Sequence, residues 1–137
     1  PPRVGDVRPH ALEDAAVVDP GNDRVWYNKA LLLAELNNIP GAMECFEQAV
    51  KLRTSNPRVY YNYGLLLQQN GKPSEAEKTF LKGIRIDPVH GDLNYALAVF
   101  YLNSGKADRA KPHIDVLRKY HSANPAYASM TSQASVQ

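Results

Sequence analysis

An all-α fold of stacked helix pairs is predicted by three observations: a 34-residue period without gaps, apolar residues at helical spacing, and a glycine- or proline-bearing break at the middle of each period. The period aligns Asp23 to Asn56, Pro57 to His90 and Gly91 to Asn124. Within the first segment the apolar positions recur at helical spacing from Val25 to Leu36 and again from Ala42 to Leu52, so each segment reads as two helices.

The breaks between paired helices justify this reading. They are Asn37-Asn38-Ile39-Pro40-Gly41, Asn70-Gly71-Lys72-Pro73-Ser74 and Asn103-Ser104-Gly105-Lys106. Glycine closes a helix by adopting the left-handed conformation, and Pro40 and Pro73 stand where a helix begins and a missing N–H costs little. Down the columns stand Trp26, Tyr60, Asn94; Ala30, Gly64, Ala98; Leu33, Leu67, Tyr101; Ala42, Ala76, Ala110; Phe46, Phe80, Ile114; Ala49, Gly83, Leu117; and Leu52, Ile86, Tyr120. Small residues at Ala30, Gly64 and Ala98, set against Ala42, Ala76 and Ala110, let paired backbones approach closely, while large side chains fill the space between pairs.

These columns resemble the tetratricopeptide repeat (TPR), most closely in the second segment through Tyr60, Gly64, Leu67, Gly71, Ala76, Phe80, Gly83 and Pro88. The third segment departs from the pattern at Asn94 and Leu117. The resemblance implies a right-handed superhelical solenoid of about 3.5 helix-turn-helix repeats: seven helices, one orphan and three pairs, in a single domain. The orphan is expected over residues 9 to 20, because Asp19-Pro20 lies two periods before Asp87-Pro88 and Leu12, Ala15 and Val18 fall in the columns of Phe80, Gly83 and Ile86. Residues 1–22 then form a partial repeat, as if cut from a longer array or unusually capped. Residues 125–137 form a short cap or a disordered tail.

Composition narrows the function. Sixteen Lys and Arg against fourteen Asp and Glu give a formal charge of +2, with basic residues scattered, so no nucleic-acid footprint is expected. Tyr95 to Leu102 is the longest apolar stretch, far short of the roughly 20 residues that span a bilayer. With no signal sequence at the N-terminus either, a soluble protein or a fragment of a longer one is expected.

Chemistry is equally sparse. Cys45 is the sole cysteine, which excludes an internal disulfide and a Cys-based metal site and reads as a buried thiol. His10, His90, His113 and His121 have no metal-ligand spacing. Gly64 and Gly71-Lys72 fail as a phosphate loop, since six residues separate the glycines and Pro73 replaces the hydroxyl residue. Neither a catalytic residue nor a cofactor or metal site is assigned. Pro112 falls inside a second helix, where it should bend or loosen the first turns.

The informative pattern lies on the first helix of each pair. Trp26, Lys29, Ala30 and Leu33 share one arc, which stacking buries; Arg24, Tyr27, Asn28, Leu31, Ala34 and Glu35 share the opposite arc, a candidate peptide-binding face. Its equivalents are Arg58, Tyr61, Asn62, Leu65, Gln68 and Gln69, then Asp92, Tyr95, Ala96, Val99, Leu102 and Asn103. Tyrosine recurs at 27, 61 and 95 and asparagine at 28 and 62, matching the rigid contact area and backbone-binding amides that an extended peptide needs.

A protein or peptide ligand is thus the expected partner, with self-association through the repeat ends, or the joining of other domains, as the alternative. The family's chaperone-tail clamps place Lys and Asn, then Asn, then Lys and Arg on this face. Here those places hold Tyr27 and Leu31, then Asn62, then Asp92 and Ala96, so clamp binding is not expected.

Overall fold

The computed structural model describes residues 19–132. The chain is an all-α helical repeat of the solenoid class. Among the described residues it comprises α1 (Asp23–Glu35), α2 (Ile39–Lys51), α3 (Pro57–Gln69), α4 (Pro73–Ile86), α5 (Gly91–Asn103), α6 (Ala107–Tyr120), a 3-10 turn (Pro125–Tyr127) and α7 (Ala128–Thr131), with no strand. The first six are the three expected pairs. The orphan helix expected over residues 9 to 20 lies outside the described residues except for Asp19 and Pro20, which lead into α1. A seventh helix among the described residues is the short α7.

Each pair is punctuated by the same backbone chemistry. Asn22 and Asn56 each accept the N–H of the residue two positions on, Arg24 and Arg58, at 3.0 Å, and His90 Nδ1 accepts that of Leu93 at 3.2 Å. These side chains satisfy donors that have no partner within the helix. Asn37, Gly71 and Gly105 close the first helices with φ of 61°, 76° and 71°. Behind each, the next N–H (Asn38, Lys72, Lys106) returns at 2.8 Å to the carbonyl of Leu33, Leu67 or Tyr101, the Schellman closure. Glycine takes this φ freely; asparagine is the side chain best suited to replace it.

The chain divides into two compact units, one ending at Ser55 and the other starting at Asn56. In the first unit Ala30 on α1 and Ala42, Cys45, Phe46 and Ala49 on α2 are buried. Lys29 lies with Nζ 5.6 Å from the Trp26 ring, a cation–π contact that places a charge in an otherwise apolar column.

In the second unit the core comprises Val59, Tyr60 and Leu67 of α3, Ala76 and Phe80 of α4, Leu93, Leu97 and Ala98 of α5, and Ala110 and Leu117 of α6. Helix α5 buries most of its circumference, with Leu93, Asn94, Ala96, Leu97, Ala98 and Tyr101 among the buried residues, and leaves one arc through Tyr95, Val99 and Leu102 partly open. Tyr101 donates to Glu77 Oε2 on α4 at 2.6 Å, and burial together with that carboxylate pushes its phenol up to about 12.

Two expectations are refined. The column Leu52, Ile86, Tyr120 is 38%, 39% and 54% exposed. Leu52 caps α2, and Ile86 and Tyr120 are the last residues of α4 and α6. Pro112 lies inside α6, which runs from Ala107 to Tyr120.

Asn94 departs from the aromatic column yet is 1% exposed, and hydrogen bonds explain why that is tolerated. Its Nδ2 donates to the carbonyls of Pro88 (3.0 Å) and His90 (2.8 Å), which leaves Oδ1 facing His113 Nδ1 at 2.9 Å. Trp26 makes the equivalent bond two repeats earlier, Nε1 to the Pro20 carbonyl at 2.9 Å. Because Asn94 Oδ1 can only accept, His113 carries its proton on Nδ1.

Burial lowers the pKa of His113 below its ordinary 6.5. Burial also lowers that of His90, against the upward pull of Asp87 and Asp92. Both groups are therefore neutral in the fold where an unfolded chain would take up protons, and their contribution to stability is complete above pH 6.5 and declines as pH falls below it. Thermal melts between pH 7.5 and 5.5 should show a falling midpoint, with a smaller drop in His113→Gln, which keeps a donor for Asn94 but cannot titrate. A midpoint that rises on acidification would contradict this.

Candidate interaction surface

The residues assigned from sequence to one face separate into two sets, one on each compact unit. On α1, Arg24 and Asn28 are exposed, while Tyr27 and Leu31 are half-buried. Tyr27 leans on α2, its ring centroid 6.1 Å from that of Phe46 at a tilt of 50°.

In the second unit α3 and α5 bring the remaining residues together. Tyr61, Asn62, Leu65 and Gln68 on α3 and Tyr95 and Val99 on α5 are half-buried; Gln69 and Asn103 at the helix ends are exposed. Leu102 is 41% exposed, whereas Ala96 is buried and offers no contact. The neighbouring positions Tyr60, Leu67 and Leu97 belong to the core. An apolar and aromatic strip therefore stays partly open along the first helices, one step round from the side chains that hold the unit together.

The charged end of this strip is organised differently from the expectation that Arg58 stands ready for a ligand. Arg58 Nη1 donates to Asp92 Oδ2 at 2.5 Å, and its guanidinium carbon lies 4.7 Å from the Tyr61 ring centroid. The other carboxylate oxygen, Oδ1, accepts from the Tyr127 hydroxyl at 2.6 Å. Burial alone would raise the pKa of Asp92, but the hydrogen bonds from Tyr127 and Arg58 and the charge of Arg58 outweigh it, so the carboxyl sits below its usual range and stays ionised. Burial and the same bond raise the Tyr127 phenol, and burial with the Asp92 charge raises Tyr61.

Tyr127 and Gly91 were not assigned from sequence. The cap carries Tyr127 onto α5, where its ring centroid lies 5.4 Å from that of Tyr95. Tyr127 and Met130 join Ala98 and Leu117 in one cluster, against which Tyr95, Val99 and Ile114 also pack. The third rung of the face is thus partly covered by the chain's own C-terminal segment. A signal for this existed: Asn124-Pro125 repeats Asn56-Pro57, and Asn124 Oδ1 accepts the Ala126 N–H at 2.9 Å as Asn56 accepts that of Arg58. The cap starts as the first helix of a further repeat would.

Comparison with known proteins decides the family. A family model described as "TPR repeat" matches residues 30–71, and one described as "Tetratricopeptide repeat" matches residues 67–134. The chain belongs to the tetratricopeptide-repeat family. No curated protein matches this TPR chain. Among solved structures it is similar to a crystal structure of MamA, with 21% identity, a TM-score of 0.72, and 81% of this chain and 67% of that one covered. It is also similar to PilF of Pseudomonas aeruginosa, with 24% identity, a TM-score of 0.70, and coverage of 79% and 50%. A MamA RS-1 double mutant gives 15% identity, a TM-score of 0.72, and coverage of 86% and 66%. At such identities the likeness shows the fold, and the chain spans between half and about two thirds of those structures.

As a TPR domain the chain is a protein–protein interaction scaffold, and the fold is in general a non-catalytic one. Among the described residues no helix is long and apolar enough to cross a membrane.

Proposed function

We propose that the α3–α5 face captures an extended segment or loop of a partner protein, with Tyr61, Leu65, Tyr95 and Val99 supplying the apolar contact and Asn62 a backbone-directed amide. The observation that carries this reading is that these four side chains remain half-exposed while Tyr60, Leu67 and Leu97 on the same helices are fully engaged in the core. Arg24, Tyr27, Asn28 and Leu31 present the same residue types on α1. An acidic residue in the partner would meet exposed Arg24 more readily than Arg58, which already serves Asp92. Because Asp92 stays ionised, binding of acidic chaperone tails is not expected.

A partner recovered from the native host, with Tyr27→Ala/Tyr61→Ala as the control bait, supplies the test. In calorimetry Tyr61→Ala is expected to weaken binding by on the order of 2 kcal/mol, as removal of a central aromatic anchor does. Arg58→Ala should cost less and lose its effect at high salt. Affinity unchanged by both but abolished by substitution of exposed Glu44 or Lys78 on the second helices would move the interface to the opposite face.

A second reading, assembly with other domains or copies, is favoured by the apolar side chains left exposed at the ends of α4 and α6 and in the turn after α4. These are Ile86 (39%), Tyr120 (54%) and Val89 (39%). Loss of self-association in Tyr120→Ser, with partner capture retained, would select it.

A further inference from the structure

The place where Tyr127 docks on α5 is built around a phenol. Its ring is 6% exposed, lies beside Tyr95 at 5.4 Å, and is met edge-on by His121 at 5.7 Å and 81°. The hydroxyl donates to Asp92 Oδ1, and Arg58 on the other oxygen holds that carboxylate in position from α3. Room for the hydroxyl depends on Gly91: a Cβ there would stand 2.5 Å from the Tyr127 oxygen and 2.8 Å from Cε2. Equivalent positions one and two repeats earlier carry Pro57 and Asp23, so glycine at this helix start is not a requirement of the repeat.

Side-chain contacts hold Tyr127 in this place; the backbone that carries it is short. A three-residue 3-10 turn and a four-residue helix cannot persist by their own hydrogen bonds, and only Tyr127 and Met130 of the segment are buried. Such a segment opens without unfolding the pairs beneath it. Opening would expose Asp92, Gly91, Tyr95 and Val99 together, joining a phenol-shaped pocket to the apolar strip on α3 and α5.

We propose that this pocket is a tyrosine-binding socket, closed in the free chain by Tyr127, and that a partner segment enters it with a tyrosine of its own by displacing the cap. The proposal rests on the reading that the α3–α5 face binds partners, and adds the side chain that the partner must carry. Tyrosine is selected over phenylalanine because Asp92 Oδ1 would otherwise lose its donor. Phosphotyrosine is rejected because its phosphate would face the same carboxylate.

The test uses the full chain carrying Tyr127→Ala, with p-cresol as the probe and toluene as the control, followed by NMR at the Gly91 and Tyr95 amides. Saturable p-cresol binding is expected at those amides, about tenfold tighter than toluene, since a hydrogen bond to a charged acceptor is lost with the hydroxyl. The unsubstituted chain should bind p-cresol at least tenfold more weakly, its socket being filled. No saturable binding in folded Tyr127→Ala, equal affinity for the two probes, or equal affinity in the two chains would overturn the socket.

Should Tyr127→Ala fail to fold, Gly91→Ala in the otherwise unchanged chain takes its place. Amide exchange at Tyr127 to Met130 is then expected to rise at least tenfold with α3 and α4 unaffected, and unchanged exchange overturns the proposal. The two readings fail separately. A partner weakened by Tyr61→Ala with no phenol binding leaves the face and removes the socket. Phenol binding at Gly91 with a partner indifferent to Tyr61→Ala leaves the socket and removes the face.

Discussion

Replacing Asn94 with leucine is expected to destabilise the second unit by about 3 kcal/mol, although the change puts an apolar side chain into an almost fully buried site. Burial of leucine would ordinarily stabilise. Here the substitution removes the donor that meets the Pro88 and His90 carbonyls and the acceptor that meets His113 Nδ1. The His90 carbonyl keeps its bond from the backbone N–H of residue 94, but the Pro88 carbonyl and the His113 N–H are left without this partner in a partly buried site. Each loss of that kind costs about 1 to 3 kcal/mol. Urea unfolding should show the midpoint shift without a change in slope. In a His113→Phe background the cost should fall by about half, because one of the two stranded groups is already gone. An Asn94→Leu chain as stable as the parent would mean that the polar cluster contributes nothing beyond filling space.

Gly64→Ala should cost about 2 to 3 kcal/mol, against the direction of helix propensity. Alanine in mid-helix gains about 1 kcal/mol over glycine where the site is open. At Gly64 the added Cβ would lie 2.3 Å from Phe80 Cε1 and 2.6 Å from Cδ1, and that ring is 0% exposed. Overpacking of a well-filled core costs at the upper end about 3 kcal/mol, occasionally more, and that outweighs the propensity gain. Combining Gly64→Ala with Phe80→Leu should recover part of the loss, since leucine is narrower at the point of contact. Recovery to or above the parent would show that the glycine serves the aromatic ring alone; no recovery would place the conflict in the backbones.

These two positions mark the reach of sequence reading. The glycine column was legible as a close approach of paired helices, because Ala30, Gly64 and Ala98 are small at one repeat position and nothing larger stands there. Which atom Gly64 meets was not legible; it is the Phe80 ring, contributed from the next turn of α4 rather than from Ala76. Asn94 was legible only as an exception, since the bond to its Oδ1 depends on where α6 presents His113, nineteen residues away.

The candidate face divides in the same way. Its residue types and positions followed from the period, because a helix with one arc committed to packing leaves a defined opposite arc. Its electrostatics did not follow. Arg58 and Asp92 occupy the same position in successive repeats and read from sequence as two separate charges, whereas folding joins them at 2.5 Å.

The sequence by itself determined the number of the three described helix pairs, the breaks within them and the need for a small residue at Gly64, because each rests on a local period and on the conformational preferences of glycine, asparagine and proline. The tertiary structure alone decided that Arg58 serves Asp92, that Asn94 is sustained by His113, and that Tyr127 seals the third rung against Gly91. Each of those facts depends on the distance between side chains far apart in the chain, and no local pattern of residues encodes that distance.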